Sequence, residues 1–187
     1  VVSAASIRAL RKAQAGVTAL VRRDLSKFYA ALDLTDAEAA RDALLEYVPV
    51  IVNNYGEVAA TVAADWYDGI RQAAGVRGSF RAEMVVPDKT EAINQTIRRA
   101  VGDLFGEYPD PETVLNAIAG KGEVYALEGS RLTITNASIN DPAARGWQRI
   151  AQADACSYCQ DLTGIDFDFQ PDFEPHIGCN CIAVPNF

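Results

Sequence analysis

The chain has 187 residues, 49% of them hydrophobic and 22% charged, enough to bury a core of ordinary size in one domain or in one domain with an extended appendage. A net charge of −8 excludes a protein that coats nucleic acid over its whole surface, because Lys and Arg supply most phosphate affinity. The longest strongly apolar run, around Tyr47 to Val52, is far short of the roughly 20 residues of a bilayer span, and no basic-then-apolar leader opens the chain; a soluble protein with no membrane partner, made in a cytoplasm, is expected.

From Ser3 to Leu32 the apolar residues Ile7, Leu10, Val17, Leu20, Val21, Leu25, Phe28 and Leu32 recur every three or four positions, the period of one long amphipathic helix. Its charge is opposite to that of the rest of the chain. Arg8, Arg11, Lys12, Arg22, Arg23 and Lys27 stand against Asp24 alone, a net +5, which leaves −13 for the remaining residues. These six cations form either a solvated face or a surface for DNA or a protein partner. Thr35 followed by Glu38 has capping-box spacing, so a second helix is expected from Asp36 to Tyr47, where Pro49 discourages continuation. A third is expected from about Val50 to Ala74, with Val58, Val62, Trp66 and Ile70 on one stripe.

Gly75, Gly78 and Pro87 mark an exposed connection between two helical regions. Thr90 then caps a helix through Ile93, Ile97, Val101, Leu104 and Phe105, and Asp110 with Pro111 at the first helical position starts another containing Val114, Leu115 and Ile118. Gly120 and Gly122 interrupt that pattern. The stretch EVYALEGSRLTITNASIND reads as helix, although its Thr and Ile content suits a strand equally. Short strands are expected at Gly146 to Ala151, with Trp147 as a core anchor, and at Cys181 to Val184. The organisation is thus a helical N-terminal region (1–75), a connection (76–89) and a C-terminal part (90–187). The fold class expected is mainly α, with long N-terminal helices and a small C-terminal α+β module stapled by metal.

Every cysteine and the only histidine lie near the C-terminus: Cys156, Cys159, His176, Cys179 and Cys181. Cys156-x2-Cys159 is the spacing of a metal knuckle, and zinc accepts four ligands of these types in a tetrahedron, so a structural Zn2+ is expected with five candidates for four positions. Cys156, Cys159, His176 and Cys179 would pair two x2 spacings; a set using Cys179-x-Cys181 would omit His176 or hold it outside the shell. Spacing leaves this open. A disulfide framework would leave His176 unexplained and need oxidising conditions. A catalytic zinc would keep a position open for water, and a cysteine nucleophile would need His176 as its base, whereas these donors can close a shell. The acids Asp161, Asp166, Asp168, Asp172 and Glu174 lack calcium-loop spacing and read as a solvated face.

The segment GWQRIAQADACSYCQDLTG followed by HIGCNC resembles the MuF-like minor head proteins of phages, a head-morphogenesis family, in the form found in phages of actinobacteria. The resemblance covers about residues 124 to 185 and includes Arg131, Thr133, Gly146, Trp147, Arg149, Cys156, Cys159, Gly164, His176, Cys179 and Cys181. It implies a low-copy minor capsid protein of the virion, in the capsid interior or at the portal vertex, assembled in the host cytoplasm, with portal protein, major capsid protein and packaged DNA as partners. Family members of this type are often described as capsid maturation proteases. The residues show no catalytic constellation, so no enzyme is expected; a cellular zinc-binding adaptor unrelated to phage is the further alternative.

Overall fold

The computed structural model describes residues 2–153, 155–168, 173–179 and 181–187. It is mainly helical, with a small antiparallel sheet and a Cys/His cluster at the C-terminal end. Helix α1, Ala4–Ala30, starts where the Ser3 side chain accepts a hydrogen bond from the Ser6 N–H at 3.1 Å. Its buried stripe is Leu10, Gln14, Val17, Val21, Leu25 and Tyr29. Leu20 falls outside that stripe and is exposed.

Helix α2 corrects three expectations. It runs unbroken over Ala37–Ala73, with Pro49 inside it. Proline removes one ladder hydrogen bond and costs about 3 kcal/mol in a helix interior. Here the buried positions Ala40, Leu44, Val48, Val52, Gly56, Ala59, Ala63, Tyr67 and Ile70 keep helical phase straight through Pro49, which is itself buried, so packing outweighs the lost bond. The cap is Asp36, whose side chain accepts from the Ala39 N–H at 3.0 Å, while the Thr35 hydroxyl donates to Asp33. The buried stripe matches the expected one only in part: Ile70 is buried and Val62 and Trp66 are half-buried. Val58 is 45% exposed, and the alanines and Gly56 face inward instead.

The reason lies in α4, Pro111–Asn140, which packs most extensively on α2. Asp110 caps it by accepting from the Thr113 N–H at 3.0 Å, with Pro111 at its first turn, as the sequence suggested. The helix does not stop at Gly120 or Gly122. At Gly122 an added Cβ would lie 3.1 Å from Leu25 and 3.3 Å from Val52; at Gly129 it would collide with the Gly56 carbonyl oxygen. These glycines therefore mark places where neighbouring helices come close. The strand alternative for the second half of α4 fails for a related reason: the helix touches α1, α2, α3 and the sheet, so it is buried on most sides and its amphipathic period is faint.

Helix α3, Thr90–Ala100, continues into a 3-10 turn, Val101–Leu104; Phe105, expected in the helix, is exposed beyond it. Between α2 and α3 the segment 76–89 lacks helix and strand but is fastened down. Arg71 donates to the Arg77 and Gly78 carbonyls, Asp68 accepts from the Ala82 N–H, and the Val85 N–H donates to the Thr133 hydroxyl. Arg71 also pairs with the buried Asp141 at 2.7 Å, just past the end of α4.

Strand β1, Trp147–Ile150, lies at the centre of a three-stranded sheet between β2, Asp166–Phe167, and β3, Ile182–Pro185. Both neighbours are antiparallel, with Trp147 opposite Phe167 and Pro185. One core joins α1 to α4, including Val17, Val21, Leu44, Val52, Ile97 and Ile118. A second joins Leu10, Ala63, Tyr67 and Ile134 of the helices to Trp147, Cys159, Phe173, Cys179, Cys181 and Ile182.

Glycine substitutions test this packing. Gly129→Ala should destabilise the protein by about 1–3 kcal/mol through overpacking against Gly56, although Ala is ordinarily the better helix former. Gly16→Ala, on an α1 site with nothing within 4 Å of the added Cβ, should instead stabilise by about 0.5–1 kcal/mol. Denaturant titration of both variants reads the opposite signs.

Candidate metal centre

Two short turns aim the donors. Cys156 precedes α5, Ser157–Asp161, and its carbonyl accepts from the Gln160 N–H at 3.0 Å; Cys159 lies within this helix and is buried, while Cys156 is exposed. The second turn is closed by the Cys179 N–H donating to the His176 carbonyl at 3.0 Å. Gly178 adopts φ +76 in that turn, a conformation that glycine takes without Cβ strain. Cys181 is buried just before β3.

All five candidates come together, in two triads that share Cys159: Cys156, Cys159 and His176, and Cys159, Cys179 and Cys181. In each triad the donor atoms lie within 4.8 Å of one another. The His176 Nε2 atom is 3.2 Å from the Cys156 sulfur and 3.1 Å from that of Cys159. Its Nδ1 lies 2.9 Å from the Ile177 carbonyl oxygen; an Nδ1–H donating there leaves the Nε2 lone pair facing the sulfurs, the arrangement of a metal-binding imidazole. The sulfurs of Cys159 and Cys179 are 3.9 Å apart and unbonded. A tetrahedral ion with metal–sulfur bonds of about 2.3 Å sets its sulfurs roughly 3.8 Å apart, so this pair is spaced for a shared ion rather than a disulfide. The cluster can therefore hold a metal, with Cys159 at its centre.

Burial, and then a hydrogen bond with Cys181, push the Cys159 thiol up; burial likewise raises Cys181. Burial also acts upward on Cys179, but the nearby Arg131 guanidinium and hydrogen bonds from Cys181 outweigh it and leave Cys179 below the ordinary thiol value.

Arg131 and Arg149 are the residues whose part in the site was not foreseen. Arg131 projects from α4 and donates to the Cys179 carbonyl at 2.7 Å. Arg149, on β1, approaches the Cys159 sulfur at 3.9 Å and donates to the Phe173 carbonyl. The Phe173 ring lies 5.1 Å from the Arg131 guanidinium carbon and 4.0 Å from that of Arg149. Trp147 stacks on Phe167 with ring centroids 4.4 Å apart, and so is the core anchor that the sequence suggested. Strand alternation did contain a signal for Arg149, since a residue two positions from a buried Trp147 points to the same face.

The expected acidic face is exposed at Asp161, Asp166, Asp168 and Glu174, and Asp166 accepts hydrogen bonds from Gln148 and Asn186; Asp172 lies outside the described residues. The basic residues of α1 divide into two groups. Arg11 is half-buried and donates to the Ile150 and Ala151 carbonyls at 3.2 and 2.8 Å, Arg22 pairs with Glu123, and Arg23 pairs with Asp24. Arg8, Lys12 and Lys27 are exposed, with no ion pair among the described residues. No helix among the described residues is long and apolar enough to cross a membrane.

Fold and site together define a helical protein that ends in a compact Cys/His module. The chain belongs to the VG15 protein family, whose model matches residues 1–187 and whose name is that of a viral gene product. No curated protein and no solved structure matches it.

The cluster generates a direct measurement. Reduced protein produced with zinc should carry about one equivalent by elemental analysis, as a single closed tetrahedral shell requires. Cys156→Ser should lose most of it while the helical signal in circular dichroism persists, because Cys156 is exposed and contributes to neither core.

Proposed function

We propose that the protein is a minor capsid or head-morphogenesis component of a tailed phage, similar to the MuF-like minor head proteins, acting by binding at the portal or inner capsid. A structural Zn2+ stabilises its C-terminal module. The observation that carries this reading is spatial: Arg131, Trp147, Arg149, Cys156, Cys159, His176, Cys179 and Cys181, most of the residues of the MuF-like resemblance, converge on one module in a chain that matches a viral family over residues 1–187.

Binding is favoured over proteolysis by the state of the only histidine. Both His176 ring nitrogens are engaged, one with two cysteine sulfurs and the other with a backbone carbonyl, so neither is placed to serve a serine or cysteine nucleophile as base. The exposed cations Arg8, Lys12 and Lys27 lie on α1 at positions that can meet packaged DNA or an acidic surface of portal or shell protein.

Quantitative mass spectrometry of purified virions tests the proposal. The chain should appear at low, fixed copy number relative to the major shell protein, and its replacement by a null allele should leave shell-protein cleavage unchanged. Absence from virions combined with loss of shell cleavage would favour a protease. If α1 meets DNA, retention of the triple variant Arg8→Glu, Lys12→Glu, Lys27→Glu should drop, and wild-type retention should weaken steeply with salt.

A further inference from the structure

Arg131 and Arg149 are 0% and 2% exposed, yet no carboxylate among the described residues lies within ion-pair distance of either. Arg131 Nε and Nη1 and Arg149 Nε also have no hydrogen-bond partner there. Two guanidiniums cannot be carried into a protein interior uncompensated without a large desolvation cost, and arginine does not discharge by losing its proton. Their missing counter-charge must lie nearby. Among the described residues the groups placed to supply most of it are the cysteines, with Glu128 acting on Arg131 more weakly; both arginines approach the cysteines, one through the Cys179 backbone, the other at the Cys159 sulfur.

A divalent ion bound by three thiolates and an imidazole carries a net charge of −1, and one bound by four thiolates carries −2. We infer that Arg131 and Arg149 are the counter-ions of an anionic metal–thiolate centre, and that metal loading is what docks the C-terminal sheet against α4. Arg131 belongs to the helical body and Arg149 to the sheet, with the Phe173 ring beside both cations. Binding the ion thus neutralises a positive seam between two parts of the molecule; removing it leaves two like charges facing each other across that seam. The helical core that joins α1 to α4 contains none of these residues and stands without them.

This inference rests on the metal reading of the cluster, so the experiment measures metal content first, on full-length zinc-loaded protein. Wild-type protein without bound zinc would overturn that reading and the inference with it. Given bound zinc, Arg131→Met and Arg149→Met should surrender it to excess chelator about tenfold faster or more, the range expected when an outer partner of a metal site is lost, and Arg149→Lys should recover part of the difference. Release at the wild-type rate from both Met variants would overturn the counter-ion role while leaving the metal site intact. Should those variants fail to fold, the wild type alone decides by hydrogen exchange. On zinc removal, amides of Trp147–Ile150 and Ile182–Pro185 should exchange at least about tenfold faster while those around Val17–Val21 and Val48–Val52 stay protected. Equal protection of the sheet with and without zinc would refute metal-dependent docking.

Discussion

The close passage of α4 over α2 sets the conditions for everything else in the molecule. Gly129 meets the Gly56 carbonyl with no room for a methyl group, and Ala59, Ala60 and Ala63 continue the same shallow surface. Because the two backbones approach so nearly, α4 becomes a central helix, with α1 and α3 also packed on it and the sheet resting on its C-terminal half. The module that holds the cysteines is therefore mounted on the most enclosed element of the body. Small residues contribute little hydrophobic area each, but they allow main chains to come near and dispersion contacts to accumulate.

Where a helix buries one stripe and exposes the other, the sequence announces it: α1, expected from Ser3 to Leu32, runs over Ala4–Ala30, although Leu20 of the expected stripe is exposed. Where a helix is enclosed, the period fades: α4 reads as two uncertain pieces because buried Gly120, Gly122, Ser130, Arg131 and Thr133 mix with its apolar residues. Pro49 misled for a different reason. Its local penalty is real, but it falls within a buried stripe more than ten residues long, and tertiary burial decides the outcome. The donor set was readable from residue type and spacing alone, since few other arrangements bring four cysteines and the one histidine so near in sequence. Arg131 and Arg149 lie within the MuF-like resemblance and strand alternation hints at Arg149, but their burial beside the sulfurs was not readable, because a guanidinium looks like surface until the fold shows what encloses it.

The same distinction separates the two ends of the basic inventory. Arg11, Arg22 and Arg23 contribute to the charge of α1 in the sequence, yet they bind the chain's own carbonyls and carboxylates. A count of charges thus overstates what α1 can offer to a partner. Arg71 shows the internal use of arginine most fully: one guanidinium reaches Asp141 and two successive carbonyls of the 76–89 segment, joining the end of α2 to the end of α4.

The alanine-lined face of α2 has a bearing on how the chain is made. During synthesis α1 and α2 emerge well before α4, and the surface that will receive α4 must wait in water. A continuous face of leucines would offer a large adhesive patch to other nascent chains, whereas around Gly56 the face is made of Ala59, Ala60 and Ala63, which expose less apolar area and bind strangers more weakly. The surface becomes cohesive only when α4 brings its matching glycines to the same place. Selectivity for the correct partner thus comes from nearness of approach, which an unrelated helix with ordinary side chains cannot achieve.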